Sequence, residues 1–241
     1  MVKGLFALFL TLLSLISLKN IHFLGEAMGF LLSILPNSAR NNTKINLKLC
    51  FPNLSDQEIK VLTKKSLKET SRSLLESGKS WITFPKTGVD SLVQAEGMKL
   101  VSESLIQDKG AILFTSHLGN IEVLISFLAE NFKCTILYTP AKIEAVDELM
   151  KQARLLMGAE MVKADSGGVK SALKALNRGE VIIMASDQVP KKKGGGIISN
   201  FFGTPALSVS LVSSLATRTE SPCHSVSCIR LKKGKGYRVI F

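Results

Sequence analysis

Two apolar runs open the chain. Gly4 to Leu18 reads GLFALFLTLLSLISL without a charged residue, and after Lys19, Asn20 and His22 a second run, Met28 to Leu35, ends at Pro36. A helix needs roughly 20 apolar residues to cross a bilayer, so the first run is too short to span alone. Lys3 before it fits the charged start of a signal peptide, but no small-residue cleavage site of the A-x-A type follows. The pattern predicts an uncleaved hydrophobic anchor over residues 1–36, spanning the membrane or lying in its interface. The charges that follow, Arg40, Lys44, Lys48, Lys60, Lys64, Lys65 and Lys68, place the remainder, 37–241, on the cytoplasmic side under the positive-inside bias.

The pattern then changes period. Ser55-Asp-Gln-Glu58 is a capping box, which starts a helix whose apolar positions Ile59, Leu62, Leu67, Leu74 and Leu75 recur at helical spacing, with Gly78 as its expected stop. From Gly110 short apolar runs alternate with helical patterns. Ala111 to Thr115, Thr135 to Tyr138 and Val181 to Ala185 read as buried strands; Ile121 to Phe132, Ile143 to Met157 and Val169 to Asn177 read as helices. This alternation predicts an α/β domain with a central, mostly parallel mixed sheet flanked by helices. Cys223 to Arg230 and Tyr237 to Phe241 are two later strands, joined by a turn over Lys232 to Gly236.

Composition narrows the partners. Thirty-one Lys and Arg against nineteen Asp and Glu give a formal charge of +12, which suits anionic lipid headgroups or an acidic carrier protein. Aromatic residues make up only 6% and no base-reading motif accompanies the charge, which argues against a nucleic-acid partner. A mean hydropathy of +0.24 is high for a fully soluble chain and points to a membrane. Cys50, Cys134, Cys223 and Cys228 form no CxxC pair, so free thiols are expected, and a Cys223–Cys228 disulfide sits poorly on one strand.

The candidate chemistry lies where the first of the buried strands ends. Ala111 to Thr115 runs into Ser116-His117-Leu118-Gly119-Asn120, and a helix begins near Ile121. Gly119 permits a tight turn, Asn120 is a good N-cap, and Glu122 falls in the first helical turn. In parallel sheets such strand ends are where ligands sit. An imidazole held in one tautomer by a carboxylate can take a proton from a hydroxyl, so His117 is the expected general base and Glu122 the carboxylate that folds back to orient it. No G-x-S-x-G elbow is present, so the nucleophile belongs to the substrate. H-x-x-x-x-E lacks the second His of H-E-x-x-H, and no metal is expected.

SHLGNIE resembles the H-x4-D/E motif of the glycerolipid and lysophospholipid acyltransferases, and specifically the lipid A late acyltransferases. Asn41 to Glu58 is similar to that family's Asn-Leu, Phe-Pro and Ser-x-x-Glu segment, and Ala185-Ser-Asp-Gln188 with Gly194 to Ala206 resembles its Asp-Gln and glycine-rich Phe-Phe-Gly block. The likeness covers about residues 20 to 241. Tyr138-Thr139-Pro140 stands where the family usually has Tyr-Arg-Pro, Ser199-Asn200 replaces a usual Val-Pro, and the C-terminal part is expected to be short relative to the family.

The resemblance implies a glycerolipid-acyltransferase-like fold, and acyl transfer from an acyl carrier protein to a hydroxyl of a Kdo-bearing lipid A precursor at the cytoplasmic face of a bacterial inner membrane. It needs no bound cofactor, because the pantetheine arrives with the donor. Arg154 matches a family arginine suited to an oxyanion or an acceptor phosphate. Asp187 follows the strand Val181 to Ala185 and is expected to orient His117 or Arg154; Asn120 and Gln188 complete the substrate-binding set. The Lys191 to Gly196 loop is expected to meet phosphates or the acidic carrier, and Phe201 and Phe202 to be core. His22 and His224 receive no role. Another membrane amphiphile as acceptor, such as a lysophospholipid or a phosphoinositol mannoside, and an inactive lipid-binding scaffold are the competing readings.

Overall fold

A computed structural model of the chain describes residues 2–106, 109–190 and 196–241. The apolar N-terminus forms α1 (Val2–Leu15) and α2 (Leu18–Ile34), and two further helices follow, α3 (Ser38–Cys50) and α4 (Asp56–Gly78). Small polar caps separate them: Ser17 accepts from the Asn20 N–H, and Asn37, just after Pro36, accepts from Arg40 at 2.8 Å. The capping box at Ser55 is formed as the sequence predicts. Among the described residues no single helix is long and apolar enough to cross a membrane; α2 and α3 reach that length only as a pair, bent by 80°.

These helices are packed onto the rest of the chain. A Cβ on Gly25 would lie 2.7 Å from Cα of Arg72, and one on Gly29 2.4 Å from Cα of Lys68, so α2 and α4 are in backbone contact. Gly78 works the same way. It was expected to stop its helix, yet its conformation is helical and a Cβ there would meet Leu13 of α1 at 2.6 Å. The helical path therefore continues through a wide π turn, Lys79–Thr83, into α5 (Phe84–Thr87), and ends at Gly88 with φ 72°.

The α/β part comprises β1 (Val93–Glu96), α6 (Met98–Leu105), β2 (Ala111–Thr115), α7 (Ile121–Asn131), β3 (Cys134–Tyr138), α8 (Glu144–Leu156), β4 (Glu160–Lys163), α9 (Ser166–Asn177) and β5 (Val181–Ala185). A hairpin, β6 (Gly196–Phe201) and β7 (Thr204–Val209), then leads to α10 (Leu211–Thr219), β8 (Cys223–Ser225), β9 (Ser227–Arg230) and β10 (Tyr237–Ile240). Five strands form one parallel sheet in the order β4-β3-β5-β2-β8. Alternate residues of its central strands serve opposite faces: Leu113 and Ile183 pack with α7, while Ile112 and Ile182 pack with α9 and α10.

The segment Cys223 to Arg230 departs from the single strand expected of it. It breaks at Val226, a buried residue whose N–H donates to the Phe114 carbonyl. Its first half joins the parallel sheet beside β2, and its second half pairs antiparallel with β10 in a three-stranded sheet, β1-β10-β9. Cys223 and Cys228 thus serve different sheets, and all four cysteines are free.

Candidate active site

β2 and β5 are adjacent, parallel and in register, Thr115 opposite Ala185. β2 leads into α7, which packs on one face of the sheet, and β5 leads by way of the β6–β7 hairpin to α10, which packs on the other. Divergence of neighbouring connections opens a crevice at the carboxyl ends of the two strands. Residues two positions past each strand end must then face one another, and these are His117 and Asp187. The Asp187 carboxylate accepts twice from His117: from its backbone N–H at 2.9 Å and from Nδ1 at 2.9 Å. A carboxylate only accepts, so Nδ1 carries a proton, and in the neutral imidazole Nε2 keeps its lone pair. Partial burial alone would push the Asp187 carboxyl up, but the His117 contacts outweigh it and hold the group below its ordinary value. The His117 side chain is 45% exposed, within reach of a substrate.

Glu122 does not take the place expected for it. The carboxylate against the imidazole is Asp187, and both Glu122 oxygens accept instead from Arg154, Nη2 at 2.7 Å and Nε at 3.1 Å. The first turn of α7 presents Glu122 to the last turn of α8, where Arg154 is 6% exposed and meets it with a fork of two parallel N–H groups. The two candidate residues remain in one neighbourhood, but as members of two pairs.

Asn120 caps α7 as the sequence predicts, its Oδ1 accepting from the Val123 N–H at 3.0 Å; it is buried, and its Nδ2, expected to serve the substrate, donates to Glu76. Glu76, on α4, is a residue that the sequence pattern did not single out. The signal was present as a charged residue beside Leu75 on the buried side of an amphipathic helix. His22, given no role, also belongs here, its Nε2 donating to the Glu76 carboxylate at 2.6 Å.

Gln188 lies with Asp187 on the wall of a cleft of about 410 Å³ between α3, the end of β5 and the β6–β7 hairpin. Leu49, Cys50, Val189, Phe201 and Leu207 make most of that wall apolar. Phe201 and Phe202, expected in the core, are instead 58% and 53% exposed. Phe201 lines the cleft, and Phe202 stacks edge-on against Phe51 just past α3, with ring centres 5.4 Å apart. Lys191 to Gly195, expected to meet phosphates, lie outside the described residues. Among the described residues no cluster of three or more His, Cys, Asp or Glu side chains could hold a metal ion.

Residues 2–241 match the family described as bacterial lipid A biosynthesis acyltransferase. The chain is 25% identical over 220 residues to the lipid A biosynthesis acyltransferase of Haemophilus influenzae, covering 90% of this chain and 69% of that protein. It is 26% identical over 196 residues to the lipid A biosynthesis lauroyltransferase of Escherichia coli, covering 81% and 63%. The palmitoleoyltransferase of the same organism is 21% identical over 219 residues, covering 90% and 70%. The chain thus spans about two thirds of the length of these relatives.

Proposed function

The chain belongs to the bacterial lipid A biosynthesis acyltransferases, and from that membership and the geometry around His117 we propose that it transfers a fatty acyl group from an acyl carrier protein thioester to a hydroxyl of a Kdo-bearing lipid A precursor. The observation that carries this reading is His117 oriented by Asp187, a residue that itself lines an apolar cleft. Nε2 of His117 removes the proton of the acceptor hydroxyl as its oxygen attacks the thioester carbonyl. The tetrahedral intermediate collapses, the carbon–sulfur bond breaks, and the imidazolium returns the proton to the departing thiolate.

Asp187 holds the imidazole and stabilises its positive charge. Glu122 holds Arg154, whose guanidinium has five N–H donors and gives two to Glu122, leaving others for the oxyanion. The donor carries a single hydrocarbon chain, and the cleft is of a size to take one chain along Leu49, Cys50 and Leu207.

The same proposal places the protein at the cytoplasmic face of the inner membrane as an interfacial enzyme. Leu12 on α1, Phe23 and Leu31 on α2, Ile45 on α3 and Ile198 on the hairpin are each more than half exposed. The lysines of α3 and α4 suit anionic lipids beside such a surface.

The test is transfer from acyl carrier protein to a purified lipid A precursor, read by mass spectrometry. His117→Ala is expected to lower transfer by more than about 100-fold with the fold intact, the scale of a lost general base. Unchanged transfer by that variant overturns the mechanism, and transfer by the wild type only to other amphiphiles overturns the acceptor.

A further inference from the structure

His117 is gripped by Asp187, but the turn that carries it, His117 to Asn120, rests on a buried carboxylate belonging to the N-terminal helices. Glu76 on α4 has a side chain with no exposed surface. Its two oxygens are met by Nε2 of His22 on α2 at 2.6 Å, by Nε of Arg230 on β9 at 2.7 and 2.9 Å, and by Nδ2 of Asn120. Arg230 also reaches the turn directly: its Nη2 donates to Ser73 and, at 3.4 Å, to the Gly119 carbonyl, which accepts from the Ser73 hydroxyl as well at 3.1 Å. On the opposite side the Asn120 N–H donates to the Cys228 carbonyl at 3.1 Å, and a Cβ on Gly119 would lie 1.9 Å from that oxygen. The Gly119 carbonyl and the Asn120 N–H and Nδ2 are thus committed to α4 or β9.

A buried carboxylate is costly unless donors fill its lone pairs, and removing one partner of such a network strands the others. A carboxylate used only to pair Arg230 would not need the Asn120 amide. Asn120 joins Glu76 to the helix following His117, through a side chain whose oxygen caps α7 and whose nitrogen holds Glu76.

We propose that Glu76 is a positioning residue for His117, acting through Asn120 so that the imidazole meets the substrate hydroxyl at a fixed angle. The proposal rests on the reading of His117 as the base. It makes the packing of α2 and α4 part of the catalytic apparatus, because the Glu76 carboxylate is shared between His22 and Asn120.

The test uses the full chain in detergent or vesicles, with three variants: Glu76→Gln, Asn120→Ser and the double variant. Asn120→Ser keeps an oxygen to cap α7 and removes only the amide that binds Glu76. Each single variant is expected to lower kcat about 10-fold or more while KM for the acyl donor changes less than about twofold. The double variant is expected to fall no further than the worse single one, since both cut the same link. The ¹⁵N and ¹H signals of the His117 ring, assigned by their loss in His117→Ala, are expected to shift or broaden in both single variants. If Glu76→Gln does not fold, Asn120→Ser decides alone. Folded variants with wild-type kcat and unchanged His117 signals overturn the proposal. Shifted His117 signals in a chain whose wild type transfers no acyl group uphold the positioning and overturn the reaction instead.

Discussion

At the scale of single residues, the site is an exchange of partners between two carboxylates. His117 and Glu122 share a seven-residue stretch, and nearness along the chain suggested that they pair. Parallel strand register decided otherwise, since β2 and β5 align Thr115 with Ala185 and thereby bring Asp187 to His117 across 70 positions of sequence. Asp187 was recognisable at a strand's carboxyl end as a residue to orient His117 or Arg154; that it, and not Glu122, meets the imidazole was not, because register between strands this far apart in sequence is set by packing. Asp187→Asn should keep the shape and present the imidazole to an amide that no longer selects its tautomer. Transfer is expected to fall by about 10³-fold or more, as when the carboxylate of a triad is neutralised, with the His117→Ala variant as the floor of the same assay. Arg154→Lys should retain the charge and lose the two-pronged contact with Glu122, lowering transfer at least about 10-fold, because a lysine cannot reproduce a planar fork. Wild-type rates in Arg154→Lys would remove the guanidinium from any part in the chemistry.

Among the elements, period and caps made most of the sheet and its helices readable: β2, β3, β5, α7, α8 and α9 lie within a few residues of where apolar spacing puts them. Close backbone approaches were not readable: Gly78 looks like a stop until α1 is seen against it, and Gly25 and Gly29 carry no mark of their contact with α4. The hairpin β6–β7 shows the opposite error, its paired phenylalanines being apolar yet turned outward at the rim of the cleft. Cys50 sits on that cleft's α3 wall, so Cys50→Trp should fill it. In competition between acyl donors of different length, this variant is expected to shift the product ratio toward the shorter chain by about 10-fold, the discrimination that a methylene or two of pocket depth can supply. An unchanged ratio would place the donor chain elsewhere. The start of β5 offers a test of stability. Hydrogen bonds from Arg178, joined by Lys133, bring the Glu180 carboxyl down to about 2 from an ordinary 4.5 despite burial. A depressed carboxyl stabilises the fold above its unfolded value and loses that contribution as pH falls through its folded one. The urea midpoint of the wild type should therefore exceed that of Glu180→Gln at pH 6, and the difference should shrink as pH falls from about 4.5 toward about 2.

For the whole molecule, the sequence left the apolar N-terminus free to span a membrane or to lie in its interface. Its helices are neither a free stalk nor a buried core: one side holds α4 through Gly25, Gly29 and Ile21, and the other leaves Leu12, Phe23 and Leu31 exposed. The hairpin adds Ile198 and Phe201, and Phe202 ties it to the end of α3 through Phe51. Exposed apolar side chains on α1, α2 and the hairpin are what the proposed seating in one leaflet would use. Such seating predicts two separable contributions. Binding to vesicles containing an anionic phospholipid should weaken as salt rises, because the net charge of +12 acts through a screened field. Binding should also weaken at every salt concentration in Leu12→Asp and Ile198→Asp, each by about 10-fold or more, since an exposed aliphatic side chain entering lipid contributes on the order of 1.5 kcal/mol. Both side chains are more than half exposed, so thermal unfolding in detergent should change little. Co-sedimentation across a salt series separates the two contributions. If both variants bind as the wild type does, the outward faces of α1 and the hairpin are not the membrane surface, and the donor cleft must be loaded from water.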